Sequence, residues 1–153
     1  ARTAYIIVTA TNANGTRTEI ITVVQNIQAQ GTEVTFNYGV LYSTVTTNQT
    51  VTEDTVDGVT AQYVKISGNN FPQYYNNGKN LRIYNKSTMT ISAPAGSSII
   101  KIEFTASTWT ADKGTVTVDV GTLTSKTWTG ESESVVFTFT ASNRIESFVV
   151  TYK

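Results

Sequence analysis

Cysteine and histidine are both absent from this chain of 153 residues. Without cysteine there are no disulfides and no thiolate metal sites. Without histidine there is no Ser-His-Asp triad, no Cys-His dyad and no histidine-ligated zinc. Charge is scarce too: 14% of residues are charged and the formal net charge is zero. Nucleic-acid binding needs a basic footprint, and anionic membranes attract polybasic segments, so neither partner is expected. No apolar run approaches the roughly 18 residues of a membrane span, so no membrane insertion is expected. No Gly-rich phosphate loop precedes a helix. The opening Ala1-Arg2-Thr3 has neither a signal-peptide pattern nor an initiating methionine. It reads as the start of a mature or excised product.

Threonine fills the space that charge leaves, at about one residue in five. Its β-branch favours the pleated, half-exposed face of a strand. Helical periodicity is missing, and alternation of apolar with polar residues runs through the chain. Tyr5 to Thr11 and Thr16 to Val24 are β-rich runs around Asn12-Ala13-Asn14-Gly15, a turn signal, and together predict a hairpin. A lone hairpin is marginal in water, so this one needs a partner. Gln25 to Gly31 reads as a connector. The expected division is therefore a hairpin and connector over 1–30 and a second unit over 31–153.

That second unit begins with Val34-Thr35-Phe36. The Thr-rich stretch from Ser43 to Thr60 predicts one irregular strand and a loop ending at Asp57-Gly58. Further strands are expected near Gln62–Ile66, Leu81–Tyr84, Thr88–Ser92, Ile99–Ala106, Thr115–Val120, Val135–Thr140 and Ile145–Tyr152. Ile100, Ile102 and Phe104 are expected on one face, opposite Lys101, Glu103 and Thr105. Short strands separated by glycine turns predict an all-β antiparallel sandwich or barrel.

Three stretches then carry a resemblance: Phe71-Pro72-Gln73-Tyr74-Tyr75-Asn76-Asn77-Gly78 with Leu81-Arg82-Ile83-Tyr84; Met89-Thr90-Ile91-Ser92-Ala93-Pro94 with Ile99 to Phe104; and Trp128-Thr129-Gly130 with Val135 to Phe139 and Ile145 to Tyr152. Residues from about 33 to 153 resemble a jelly-roll β-sandwich accessory module of secreted and surface proteins of Bacteroidetes. The resemblance implies a jelly-roll-like sandwich and an extracellular, cell-surface or virion-surface location. Residues 1–25 resemble the last hairpin of an immunoglobulin-like domain.

Catalysis is not expected. Carboxylates such as Glu103, Asp119 and Glu146 alternate with core residues, and nothing converges as a glycosidase pair would. No cofactor is expected, apart from a structural Ca²⁺ at the densest acidic cluster, Glu53, Asp54 and Asp57, weighed against a solvated loop. An aromatic-plus-amide surface of Tyr74, Tyr75, Asn76, Arg82 and Trp109 is the candidate carbohydrate-binding site, since exposed rings stack on sugars. Of Tyr74 and Tyr75, one is expected to anchor the loop and the other to be free. Trp109 and Trp128 sit in matching Thr-Trp-Thr settings, and the resemblance implies that Trp128 packs in the core or against a turn. Tyr5, Ile7, Ile21 and Val23 are the candidate assembly edge, for self-association through residues 1–25. The two leading functions are thus a non-catalytic carbohydrate-binding or adhesion module and a structural subunit of a surface assembly, whether a pilus-like filament, a fibre or a phage capsid decoration protein. The expected partner is a glycan or a surface protein. A plain spacer, with the hairpin extending the sandwich's own sheet, is the third.

Overall fold

The computed structural model describes residues 2–25, 31–68 and 70–153, with the backbone alone for residues 2–4, 12 and 23–25. Contacts divide the chain into two compact units, Ala1–Gln30 and Gly31–Lys153. Residues 26–30 of the expected connector lie outside the described residues.

In the first unit, β1 (Arg2–Asn12) and β2 (Gly15–Gln25) form an antiparallel two-stranded sheet of their own. Unbroken pairing from Asn12↔Gly15 to Arg2↔Gln25 follows from Ala13 and Asn14 making the turn. Cross-strand threonines share hydrogen bonds, Thr9 with Thr18 at 3.4 Å and Thr11 with Thr16 at 3.0 Å.

The second unit starts with β3 (Thr32–Asn37), whose Val34 and Phe36 point inward. Asn37 ends it by capping a single helical turn, α1 (Tyr38–Leu41), through Val40 N–H at 3.2 Å. The strands that follow are β4 (Gln49–Thr50), β5 (Glu53–Val56), β6 (Val59–Lys65), β7 (Gln73–Tyr75), β8 (Asn80–Ile83), β9 (Ser87–Ser92) and β10 (Ile99–Thr108). The last are β11 (Val116–Val118), β12 (Thr122–Thr124), β13 (Thr127–Ser132), β14 (Ser134–Phe139) and β15 (Asn143–Tyr152). The larger sheet runs β12-β13-β10-β15-β8-β7-β4, with β3 also paired to β15. The smaller runs β11-β14-β9-β6-β5. All pairings are antiparallel.

The sheets meet through inward rings. Phe104 of β10 meets Phe137 of β14 edge-on at 5.1 Å, and Phe148 of β15 stacks on Phe36 of β3 at 4.5 Å. The architecture is an all-β antiparallel sandwich. Three expectations need adjusting. A bulge between Ile99 and Lys101 shifts the phase of β10, so Ile99 is fully buried and Ile100 only half-buried. The stretch Ser43 to Thr60 holds β4 and β5 instead of one strand, and β5 turns at Asp57-Gly58 into β6. The hairpin of β12 and β13 was not expected.

Trp128 of β13 is fully buried, as expected of it, and its indole Nε1 donates to the Val120 carbonyl at 2.7 Å. Glycine makes the room. A Cβ on Gly121 would stand 2.5 Å from the indole nitrogen, and one on Gly130 would stand 2.7 Å from the ring. Gly121 also has φ +74°, which side chains avoid. Gly96 has a similar φ, +79°, but its Cβ would meet open space. Gly96→Ala therefore isolates backbone strain, at about 1–2 kcal/mol. Gly121→Ala adds overpacking against Trp128 and should cost roughly 2–4 kcal/mol. Urea unfolding of both variants checks the ordering, and equal losses would refute the role given to the indole.

Candidate functional site

Strand alternation separates the five residues of the expected aromatic surface. Tyr74 is fully buried, paired across to Leu81 and stacked on Tyr42 at 4.7 Å. It is a core residue and leaves the binding surface. Tyr75, its neighbour, faces outward and is half-buried, with the Arg82 guanidinium 3.5 Å from its ring centre. One tyrosine inward and one outward is the expected arrangement. Asn76 braces a neighbouring loop: its backbone N–H donates to Asn48 Oδ1 at 3.0 Å and its Nδ2 to the Thr46 carbonyl at 2.9 Å. Trp109 is half-buried and packs against the core. Its ring stacks on Phe104 at 4.7 Å, and its Nε1 donates to the Ser125 carbonyl at 2.7 Å. That stack occupies one face of the ring.

The acidic trio separates for the same reason. On β5, Glu53 is exposed while Asp54 is half-buried, and Asp57 sits in the turn with φ +46°. Among the described residues no three acidic groups gather as a metal centre. Asp54 is instead occupied by tyrosines. Tyr42 donates to its Oδ1 at 2.6 Å and Tyr63 to its Oδ2 at 3.0 Å. The Tyr38 hydroxyl lies 2.7 Å from that of Tyr63. A carboxylate only accepts, so the proton of Tyr63 points at Asp54 and Tyr38 donates to Tyr63. Burial raises Tyr38 and Tyr63 well above the ordinary phenol value, and the negative charge of Asp54 adds to it. Tyr42 is raised by burial and by its bond to Asp54. Asp54 is itself raised, by burial, against the opposing pull of the two hydroxyls.

A polar groove lies on the outer face of the larger sheet. Arg82, Tyr84, Thr108, Ser142, Asn143 and Arg144 line a hollow of about 400 Å³. Register builds it: Arg144 of β15 pairs with Arg82 of β8 on one side and Thr108 of β10 on the other. Gln73 of β7 lies across from Arg82 and donates from Nε2 to the Tyr84 hydroxyl at 3.2 Å. Asn143 serves as floor. Its Oδ1 accepts from Thr110 N–H at 2.8 Å and its Nδ2 donates to the Ala141 carbonyl at 3.1 Å. Of the five expected residues, the groove includes Arg82, and Tyr75 supports it through that stack. Tyr84, Thr108, Ser142 and Arg144 escaped the sequence reading, because only strand register brings them together.

The hairpin also differs from its expected edge. Cross-strand partners share a face, so Tyr5 and Ile7 lie with Thr22 and Ile20, whereas Ile21 lies on the opposite face with Ile6. The four expected residues thus do not form one surface, and the side chain of Val23 lies outside the described residues. Both faces are apolar and open: Tyr5 is 68% exposed, Ile20 64% and Ile21 51%. No helix among the described residues is long and apolar enough to cross a membrane.

No protein-family model, curated protein or solved structure matches this chain.

The tyrosine–aspartate cluster sets a pH dependence. The tyrosines are raised above the ordinary value of 10.0. Their contribution is complete below that value and is lost as pH rises through their folded values. Asp54 is raised above 3.8, so its contribution is complete below 3.8 and lost as pH rises through its folded value. Stability measured by urea unfolding should therefore fall steeply above about pH 10, together with the rise of tyrosinate absorbance. Asp54→Asn should flatten the acid limb. Tyr63→Phe should cost roughly 2–3 kcal/mol at neutral pH by leaving Asp54 and Tyr38 short of a partner.

Proposed function

We propose that this chain is a non-catalytic module of an extracellular, cell or virion surface that binds carbohydrate or mediates adhesion. The groove over β8, β15 and β10 carries this reading. It combines one tyrosine ring, two guanidinium groups and two aliphatic hydroxyls on β8, β10 and β15 and the residues just beside their ends, at a volume of about 400 Å³. Sugars are bound by such mixtures of ring face and polar donors, and a rigid sheet presents them without ordering cost. The resemblance of residues 33–153 to accessory modules of secreted proteins agrees with it.

A glycan array followed by calorimetric titration tests the reading. A bound glycan should shift the backbone amide signals of Tyr84, Thr108 and Arg144, and Tyr84→Ala should weaken binding roughly tenfold. Trp109→Ala should lower stability and leave the contact surface in place. Absence of binding to any glycan would sink the reading.

The hairpin favours a second reading, assembly with other subunits. Apolar side chains stand half to two-thirds exposed on both of its faces, beyond what a solvated ribbon requires. Light scattering across a concentration series should reveal self-association. The triple change Tyr5→Thr, Ile7→Thr and Ile20→Thr should raise the dissociation constant by roughly a hundredfold or more. A chain that stays monomeric at every concentration removes this reading.

A further inference from the structure

The register of β8 and β15 sets Arg144 directly opposite Arg82. Directly paired residues project from the same face of a sheet, and like charges there repel. Neither arginine is relieved by a carboxylate. The ion pairs among the described residues are Arg17–Glu19, Lys101–Glu103 and Lys153–Glu131, and none reaches the groove. Glu146, two positions beyond Arg144 in the chain, forms no such pair with either arginine. The groove lining contains no acidic side chain. In a chain of zero net charge this concentrates positive charge locally.

Arg82 is also held in place. The Tyr75 ring lies 3.5 Å from its guanidinium carbon. Its Nε is buried and has no hydrogen-bond partner among the described residues. A buried Nε is out of reach of a ligand, so the outer nitrogens of the guanidinium are the ones that can meet an anion. Planar guanidinium groups match two-oxygen acceptors such as carboxylates and sulfate esters. Tyr84, Thr108 and Ser142 add a ring and hydroxyls at the same place, which suits the sugar that bears the anion.

We propose that this groove binds an acidic saccharide, its carboxylate or sulfate ester seated between Arg82 and Arg144. This rests on the carbohydrate-binding reading above and names the class of sugar. Two cations are too few for nucleic acid, which needs a longer basic track.

The test is calorimetric titration of the full chain with an oligoglucuronate, a sulfated galactan oligosaccharide, the same galactan desulfated, and inorganic sulfate. At least one acidic oligosaccharide should bind roughly tenfold or more tighter than the desulfated one, with affinity falling as salt rises. The uronate and sulfate arms decide which anion is read. Arg144→Gln and Arg82→Gln should each weaken binding roughly tenfold, and Arg82→Lys should recover only part of the loss. Arg144 is exposed, so its variant reports on binding even where Arg82→Gln unsettles the Tyr75 loop; urea unfolding checks both. Oligoglucuronate and sulfated galactan both binding no tighter than desulfated galactan, with Arg144→Gln changing nothing, would overturn this inference and leave carbohydrate binding standing. Inorganic sulfate binding as tightly as the sulfated sugar would overturn the saccharide assignment. No binding by any saccharide would overturn both.

Discussion

One strand organises the body. β15 has β10 along one edge, while its other edge is shared between β3, opposite Ser147 to Tyr152, and β8, opposite Asn143 to Ile145. Its inward residues, Ile145, Phe148 and Val150, are fully buried. Phe148 touches the rings of Phe36, Tyr38 and Phe104, so strands distant in sequence meet at one side chain. Full burial of such a ring is worth about 1.5–3 kcal/mol before the ring contacts are counted. The residue lost from register between Ile145 and Ser147 falls between these partners. That bulge lets Arg144 and Phe148 keep their separate faces along one strand.

Two further devices hold what β15 gathers. The Trp128 indole fills the space left by Gly121 and Gly130, which closes β12 onto β13. The Tyr38–Tyr63–Asp54–Tyr42 chain ties α1 to β5 and β6, and so joins the segment after β3 to the smaller sheet. A buried polar chain of this kind is stabilising only when each member is satisfied. Here the carboxylate supplies the acceptors that neutral hydroxyls alone would lack.

The proposed chemistry follows from where these devices stop. Inward faces are closed by aromatic packing, so Tyr74 belongs wholly to the core, and half-buried Trp109 packs against it. The outer face of the larger sheet retains Arg82, Tyr84 and Arg144, supported from beneath by Asn143 and from the side by Gln73 and Tyr75. The hairpin unit presents a different kind of surface, with large exposed apolar side chains on both faces. A charged groove and an apolar ribbon suit different partners, which is why two functional readings stand side by side.

Strand content was readable because alternation has a period of two and threonine marks the solvated side. The all-β sandwich and the N-terminal hairpin were legible on those grounds, and the buried Trp128 through the resemblance. The one-in, one-out arrangement of Tyr74 and Tyr75 was legible too, though not which was which. Pairing and phase were not. A bulge near Ile100 moves a residue between faces at small local cost, and Glu53, Asp54 and Asp57 stay adjacent in sequence while their side chains part. The groove depends on Arg82 and Arg144 meeting across two strands, a contact between positions far apart in the chain. Sequence by itself determined that the chain is built of strands and placed most of the longer ones, since backbone preference and side-chain alternation are local. Tertiary structure alone decided which side chains share a surface, since register is set by how the buried rings fit one another.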